Sequence, residues 1–277
     1  MKNMKNLPSL FFVIIILLLT TNVNSQKAYQ LSYKLEKGQH FELEIKNNQN
    51  ISMNMQGQTM VLQQQMIMNQ QMTVSETDSV NNKDLELTYT SLWFKQNAMG
   101  MEVIWDSKNP DTTNPIATQI GQALGKIIGS PIHVIIDQYG NPIKLTKQSD
   151  GGKGANLAGF ESGMMVVYSD KKVKEGDSWQ TKLQPDPASD FIIESTYKLE
   201  EVKGKKAVIG FEGKITGTTI MGEKAVINGT VTGSSTIDIH TGWVLTASIT
   251  QKLEMEMEQQ GMKLPMQMSS FIELTSK

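Results

Sequence analysis

The 277-residue chain contains no cysteine, which rules out disulfides, thiolate nucleophiles and cysteine-ligated metal centres. It contains no arginine either, since all 26 basic residues are lysine. The planar fork that proteins favour for phosphate and carboxylate recognition is therefore missing. With 28 acidic residues the formal charge is −2, which does not suit a nucleic-acid binder. The three histidines, His40, His133 and His240, are scattered. No His-Glu-x-x-His, nucleophile elbow, phosphate loop or dinucleotide fingerprint accompanies them. His240 beside Asp238 reads as part of a turn rather than as an acid–base pair. Glu254, Glu256 and Glu258 line one strand face at period two and read as a solvated, aggregation-blunting face rather than a cation site. These absences predict a protein that is not an enzyme and needs no cofactor or metal.

Long apolar runs are equally scarce. The exception, residues 10–19, follows Lys2 and Lys5 and leads to Val23-Asn24-Ser25. A short basic region, an apolar stretch of this length and a small residue at its end predict a secretory signal peptide over residues 1–25, cleaved before Gln26. The run is too short to favour spanning a bilayer. With no cysteine at the cleavage point, the mature protein is expected in the periplasm or outside the cell, without a lipid anchor or a transmembrane segment. Losing Lys2 and Lys5 would shift the charge from −2 to −4. The remaining length is enough for one large or two modest β domains.

What the chain has in abundance is period-two alternation. Ala247, Ile249, Leu253, Met255 and Met257 hold odd positions, with Trp243 and Leu245 ahead of them, and Thr246, Ser248, Lys252, Glu254 and Glu256 hold even ones. Beyond Gly261 the parity inverts to Met262, Leu264, Met266, Met268, Ile272 and Leu274. An even-length turn near Gly261 puts both apolar rows on one side of a hairpin. The early chain repeats the plan. Phe41, Leu43, Ile45, Ile51, Met53 and Met55 share odd parity; Met60, Leu62, Met66, Met68, Met72 and Val74 share even parity. A turn at Gly57-Gln58 pairs Met55 with Met60 and Met53 with Leu62. Each arm runs about 16 residues, or roughly 50 Å, well beyond the usual strand, and ribbons of that length twist and curl. Asn47, Gln49, Gln64 and Gln70 interrupt the apolar parity. They imply either a cross-strand amide ladder or a face turned towards a wet cavity. Pro265 cannot donate to a ladder, which predicts a sheet edge or bulge in the last strand.

Further strands are expected at residues 85–94, 99–105, 132–136, 143–145, 191–201, 207–216 and 225–238. Pro115 behind Thr113 or Asn114, followed by Ile116, Ile120, Leu124, Ile127 and Ile128, predicts a helix from about Pro115 to Ile128 lying across an apolar face. Gly121 and Gly125 weaken it, so it depends on packing. Residues 149–154 form a Gly-rich spacer, and residues 155–168 include a second candidate helix. The organisation expected is a signal peptide (1–25), an N-terminal β half (26–150) and a C-terminal β half (151–277). The fold class is mainly β: long curved antiparallel sheets, half-barrel or sandwich-like, with one or two short helices. Leu35, Gly38 and Phe41 are echoed by Val173, Gly176 and Trp179 at the same spacing, which suggests duplication.

Three stretches carry a family resemblance: Leu35 to Phe41, the Val-Lys-x-Gly-Asp-Ser-Trp run ending at Trp179, and Asp238-Ile239-His240-Thr241-Gly242-Trp243 before an alternating strand. They resemble a family of exported bacterial proteins of unknown function, which implies no known activity. Long curved strands with a small helix also look like the half-barrels of lipoprotein carriers, a likeness of fold only.

The chain has 18 methionines, and those in the two long hairpins define the candidate site. A flexible, polarizable thioether face adapts to ligands of variable shape, such as acyl chains or exposed apolar segments of client proteins. The residues expected to line it are Met53, Met55, Met60, Leu62, Met66, Met68, Met72, Met255, Met257, Met266 and Met268. Two alternatives use the same residues. One is a structural or assembly-partner protein with a sealed core. The other is Cu(I) binding by Met53, Met55 and Met60, or by Met255, Met257 and Met262.

Overall fold

The computed structural model describes residues 27–55, 58–147, 165–184, 190–220, 223–259 and 262–277. The expected signal peptide, the Gly-rich spacer and most of the second candidate helix lie outside these; residues 165–168, which are described, are not helical.

Among the described residues, twelve strands form one antiparallel sheet that curls into a nearly closed barrel. They are β1 (His40–Met55), β2 (Gln58–Thr77), β3 (Lys83–Ala98), β4 (Met101–Asp106), β5 (Pro131–Ile136), β6 (Pro142–Lys147), β7 (Ser178–Leu183), β8 (Ile192–Lys203), β9 (Lys206–Ile220), β10 (Glu223–Asp238), β11 (Val244–Gln259) and β12 (Met262–Ser276). The spatial order is β6-β5-β3-β2-β1-β12-β11-β10-β9-β8-β7, with β4 also paired to β3. Strands before residue 150 take one flank, those after it take the other, and β1 meets β12 along eleven register pairs from Leu43↔Ser276 to Met53↔Met266. The predicted alternation holds because one face of this sheet is buried and the other is wet, so each strand reads as a two-residue repeat.

The register corrects two expectations. Met55 pairs with Gln58 and Met53 with Met60, two residues short of the predicted pairing; the predicted turn residue Gly57 lies outside the described residues. An even slip preserves parity, so both apolar rows still share a face. Pro265 lies in an interior strand, not at an edge. It sits one residue past the last β1 partner of β12, where no ladder bond is required on that side.

The helix, α1 (Pro115–Leu124), is capped by Asn114 Oδ1, which accepts from the N–H groups of Ile116 and Ala117. A 3₁₀ turn continues it over Gly125–Ile127. The glycine that weakens the helix also seats it. A Cβ at Gly121 would lie 2.6 Å from Nε1 of Trp105, which is buried on β4. Burial against that indole offsets a propensity loss of ~1 kcal/mol.

One end of the barrel is tied shut by two non-strand segments, residues 29–35 and 166–173. Tyr29 and Val173 form an antiparallel bridge. Tyr33 N–H donates to the Gln138 carbonyl in the β5–β6 turn, and Lys34 N–H to Thr241 in the β10–β11 turn. The Tyr33 hydroxyl donates to the Val166 carbonyl at 3.0 Å, the Tyr168 hydroxyl to Gly242 at 2.6 Å, and Trp179 Nε1 to Val167 at 2.7 Å. The β5–β6 turn at one edge of the sheet, the β10–β11 turn in mid-sheet and Trp179 on the opposite edge strand β7 thus converge on one core that includes Leu31, Tyr33, Leu35, Val166, Val167 and Tyr168. The echoed turns at Gly38 and Gly176 share a geometry: φ is +85° and +91°, with glycine N–H bonds to Val74 and Leu199 carbonyls.

The closure makes a prediction through a matched pair of glycines. Gly38 (φ +85°) has open space around it, whereas a Cβ at Gly140 (φ +89°) would lie 2.6 Å from the Tyr33 ring and 2.7 Å from the Val166 carbonyl. Gly38→Ala should cost about 1–2 kcal/mol, from the left-handed backbone alone. Gly140→Ala should cost ~3 kcal/mol or more, because the tie must also shift. Urea unfolding of both variants measures the difference, and equal costs would remove the tie from the account.

Candidate functional site

The registers stack the inner face into layers that run across the strands. A row of Leu199, Ile209, Ser235, Ala247, Leu274, Ile45, Met68 and Leu92 lies towards the closed end of the barrel, and two residues further from that end comes a row of Trp179, Tyr197, Phe211, Gly233, Ile249, Ile272, Asn47, Met66 and Phe94, each the cross-strand partner of the next. Trp179 stacks on Tyr197 at 5.7 Å between centroids, and Tyr197 meets Phe211 at 5.6 Å. The row two residues further along is polar: Thr181, Ser195, Gly213, Val231, Gln251, Ser270, Gln49, Gln64 and Gln96. Beyond this belt come Leu253, Met268, Ile51 and Leu62, then Met255, Met266, Met53 and Met60 as register partners across β11, β12, β1 and β2.

Exposure changes across the belt. On β1, β2 and β12 the inner residues on the closed side are buried: Leu43, Ile45, Met66, Met68, Met72, Ile272 and Leu274. On the other side Ile51, Met53, Met60, Leu62, Leu264, Met266 and Met268 are all half-buried. Above the belt the β1, β2 and β12 wall is thus partly open, whereas Leu183, Ile193, Ile215, Ile227, Leu253 and Met255 on β7 to β11 stay buried at the same level. The expected lining residues divide accordingly. Met53, Met60, Leu62, Met257, Met266 and Met268 border the open half, Met255 is buried beside them, and Met66, Met68 and Met72 belong to the filled core. Met55 closes β1, but its side chain lies outside the described residues, as does that of Met262.

The amides behave in two ways. Gln64 Nε2 donates to Gln96 Oε1 at 2.9 Å, a rung of the predicted ladder. Asn47 and Gln70, each 1 % exposed, have no hydrogen-bond partner for either amide atom among the described residues, and neither do Ser270 Oγ and Thr181 Oγ1. A buried polar group left so costs about 1–3 kcal/mol, and a fold selected for stability alone would place an aliphatic residue there. Sequence reasoning found Asn47, Gln49, Gln64 and Gln70 but missed Gln251, Ser270, Ser195 and Thr181. Gaps in the apolar series after Ile249 and after Met268 were the available signal. An open groove of about 760 Å³ on β7–β10 is lined chiefly by outer-face residues, among them the charge-balanced set Lys182, Glu194, Glu212 and Lys214, and also touches the belt residues Thr181, Ser195 and Gly213.

His240 and Asp238 form a turn, with Asp238 Oδ1 accepting from the His240 and Thr241 N–H groups. Glu254 is exposed and Glu256 pairs with Lys263 at 2.6 Å. No group of three His, Asp or Glu able to hold a metal occurs among the described residues. No described helix is long and apolar enough to cross a membrane.

Comparison with known proteins places this geometry in a class. The chain belongs to a family of unknown function (DUF6263), whose model matches residues 80–148 and 154–244, more than half of the chain. The match takes in β3 to β10 and the second closing segment; the methionine rows lie outside it, on β1, β2, β11 and β12. No curated protein matches the chain. Among solved structures, one described as lipid–protein interactions in lipovitellin superposes with a TM-score of 0.58 at 9% identity, over 88% of this chain and 25% of that one. The chain therefore spans about a quarter of that protein, and the likeness is one of fold. The translocator domain of the autotransporter NalP from Neisseria meningitidis aligns over 96% of this chain and 95% of its own, at 7% identity and a TM-score of 0.26, too low to bear on the fold.

Electrostatics separates the two ends. Burial pushes the Tyr33 and Tyr168 phenols far above their usual range and that of Tyr197 up to about 12. At the same end the buried Lys83 is held below the usual lysine range by burial, against the pull of Asp78 and Glu36. The belt itself carries no charged side chain. The raised phenols fix a pH dependence. The folded state keeps protons that the unfolded chain releases near 10, so their contribution is complete below pH 10 and is lost as pH rises through the folded values. Stability to urea should fall above pH 10. Tyr197→Phe should remove about 2–3 kcal/mol of that loss by pH 12, and an unchanged alkaline slope in the variant would contradict the burial of this phenol.

Proposed function

We propose that the protein is a non-enzymatic binder of a lipid or other hydrophobic ligand, exported to the cell envelope or beyond, with the open half of the barrel as its site. One observation carries this reading. Half-exposed thioethers and aliphatics on three adjacent strands face a space whose far end is tied shut. A monomeric fold seldom leaves an inner apolar wall partly wet unless something occupies it. Methionine suits the position because its unbranched side chain repacks around chains of different shape. The likeness to lipovitellin, in a structure described in terms of lipid–protein interactions, supports the same class of ligand. The two halves, residues 26–150 and 151–277, are then two walls of one trough, joined at β1 and β12.

The cross-strand row of Met60, Met53, Met266 and Met255 also supports a second reading, Cu(I) bound by thioethers. Anaerobic Cu(I) titration separates the two.

The test is a fluorescence titration with a pyrene-tagged long-chain alcohol. Saturable binding is expected. The double variant Met53→Gln with Met266→Gln should weaken it about tenfold, since losing roughly 0.7 kcal/mol of apolar contact at each half-exposed site totals about 1.4 kcal/mol. Thermal stability should stay near wild type because neither side chain is fully buried. Absence of saturable binding, or an unchanged affinity in the variant, would overturn the proposal.

A further inference from the structure

We infer that the polar belt selects the ligand's head: the open half takes a single-chain amphiphile, tail towards the methionine rows, with an uncharged hydrogen-bonding group such as a hydroxyl, ester or amide at the belt. This rests on reading the open half as an apolar ligand site, and it adds depth and polarity to that reading.

The belt crosses nine strands as one register row on the inner face, and seven of its nine residues carry a hydroxyl or amide. Gln64, Gln96 and Gln251 are half-buried, so a ligand in the open half reaches them, while Gln49, Ser270 and the Thr181 hydroxyl are buried. The ladder bond from Gln64 to Gln96 uses one donor and one acceptor of two amides and leaves others to point elsewhere. Ser270 Oγ in the belt and both amide atoms of Asn47, one layer below, lack partners among the described residues. Polar groups that are enclosed, unpaired and gathered at the floor of an apolar site are the arrangement that rejects a ligand unable to satisfy them.

The belt also fixes the sign of the head. With no lysine or carboxylate in the row, an ionised head would sit at the floor without a counter-charge, at a desolvation cost that the amides offset only in part. A neutral head meets donors and acceptors together, since each amide supplies both. Depth follows from the strand. From Gln49 in the belt to Met55 at the end of β1 is six residues, about 20 Å along the strand, the reach of a long acyl or alkyl chain and more than a short one can fill.

The experiment compares four probes of equal chain length, displacing the pyrene-tagged alcohol from the full protein: an alkane, a primary alcohol, a monoacylglycerol and a fatty acid. The alcohol and monoacylglycerol should bind at least about tenfold more tightly than the alkane. The fatty acid should bind weakly when ionised and gain affinity as pH falls through its own carboxyl pKa. In Gln49→Leu with Gln64→Leu, alkane affinity should be kept or raised and the preference for the neutral heads lost. Gln64→Leu alone, at a half-buried position, should lose part of the preference even if the double variant fails to fold. Equal binding of alkane and alcohol in wild type would sink the belt's role while leaving the apolar site standing. A preference for the ionised acid would overturn the charge argument, and failure of every probe would remove the site itself and this inference with it.

Discussion

A sheet curled until its edges approach has two rims, and the properties of this molecule depend on the fact that the described residues tie one of them shut. The tie is polar at its contacts and apolar in bulk. Hydroxyls of Tyr33 and Tyr168 and the indole N–H of Trp179 each donate to a backbone carbonyl, while the rings bury most of their surface. That combination satisfies loop carbonyls that would otherwise be enclosed and unpaired. It also joins the β5–β6 turn at one edge, the β10–β11 turn in mid-sheet and strand β7 at the other edge, so the filled end resists uncurling. Long hairpins alone would not achieve this, because a ribbon of 16 residues per arm has no reason to close on itself.

From the closure follows the division of the inner face. Side chains near the tie fill the space between walls and reach native-like burial, with Ile45, Met68, Val74, Leu85 and Tyr89 all at 0 % exposure. Further along the same strands, on β1, β2 and β12, the same residue types are half-wet. Residue chemistry is continuous across the boundary; what changes is whether anything faces the wall. The polar belt marks that boundary. Its unpaired atoms make it costly for a core and useful for a site, the kind of local conflict that folds carry where they act.

The sequence made the walls legible and the floor only partly so. Period-two alternation in β1, β2, β11 and β12 defined both faces, because a half-buried strand leaves that pattern wherever it pairs. It could not define register to better than two residues, since an even slip keeps every side chain on its face, and Met53 was therefore paired with Leu62 instead of Met60. Pro265 pointed to an edge, yet it lies inside the sheet, because neighbouring strands of unequal overlap leave one side of β12 unpaired there. At the other end of the barrel, the tie was not legible. Tyr33 and Val166 are 133 residues apart, and although Leu31, Tyr33 and Leu35 alternate with polar residues, nothing local marks residues 166–168 as their partner. The belt was half visible, as amides in apolar positions of β1 and β2; recognising its continuation through Ser270, Gln251, Ser195 and Thr181 required the order of strands in space.

The central claim is that the wall made by β1, β2 and β12 is sealed below the belt and accessible above it. Methionine oxidation by dilute hydrogen peroxide, read by peptide mass spectrometry, tests it directly, because thioethers are distributed on both sides and oxidise according to access. The account predicts rapid sulfoxide formation at Met53, Met60, Met266 and Met268, with Met66, Met68 and Met72 protected until the protein unfolds. Equal rates in the two sets, or faster oxidation of the second, would show that the barrel is not closed where the tie places its floor.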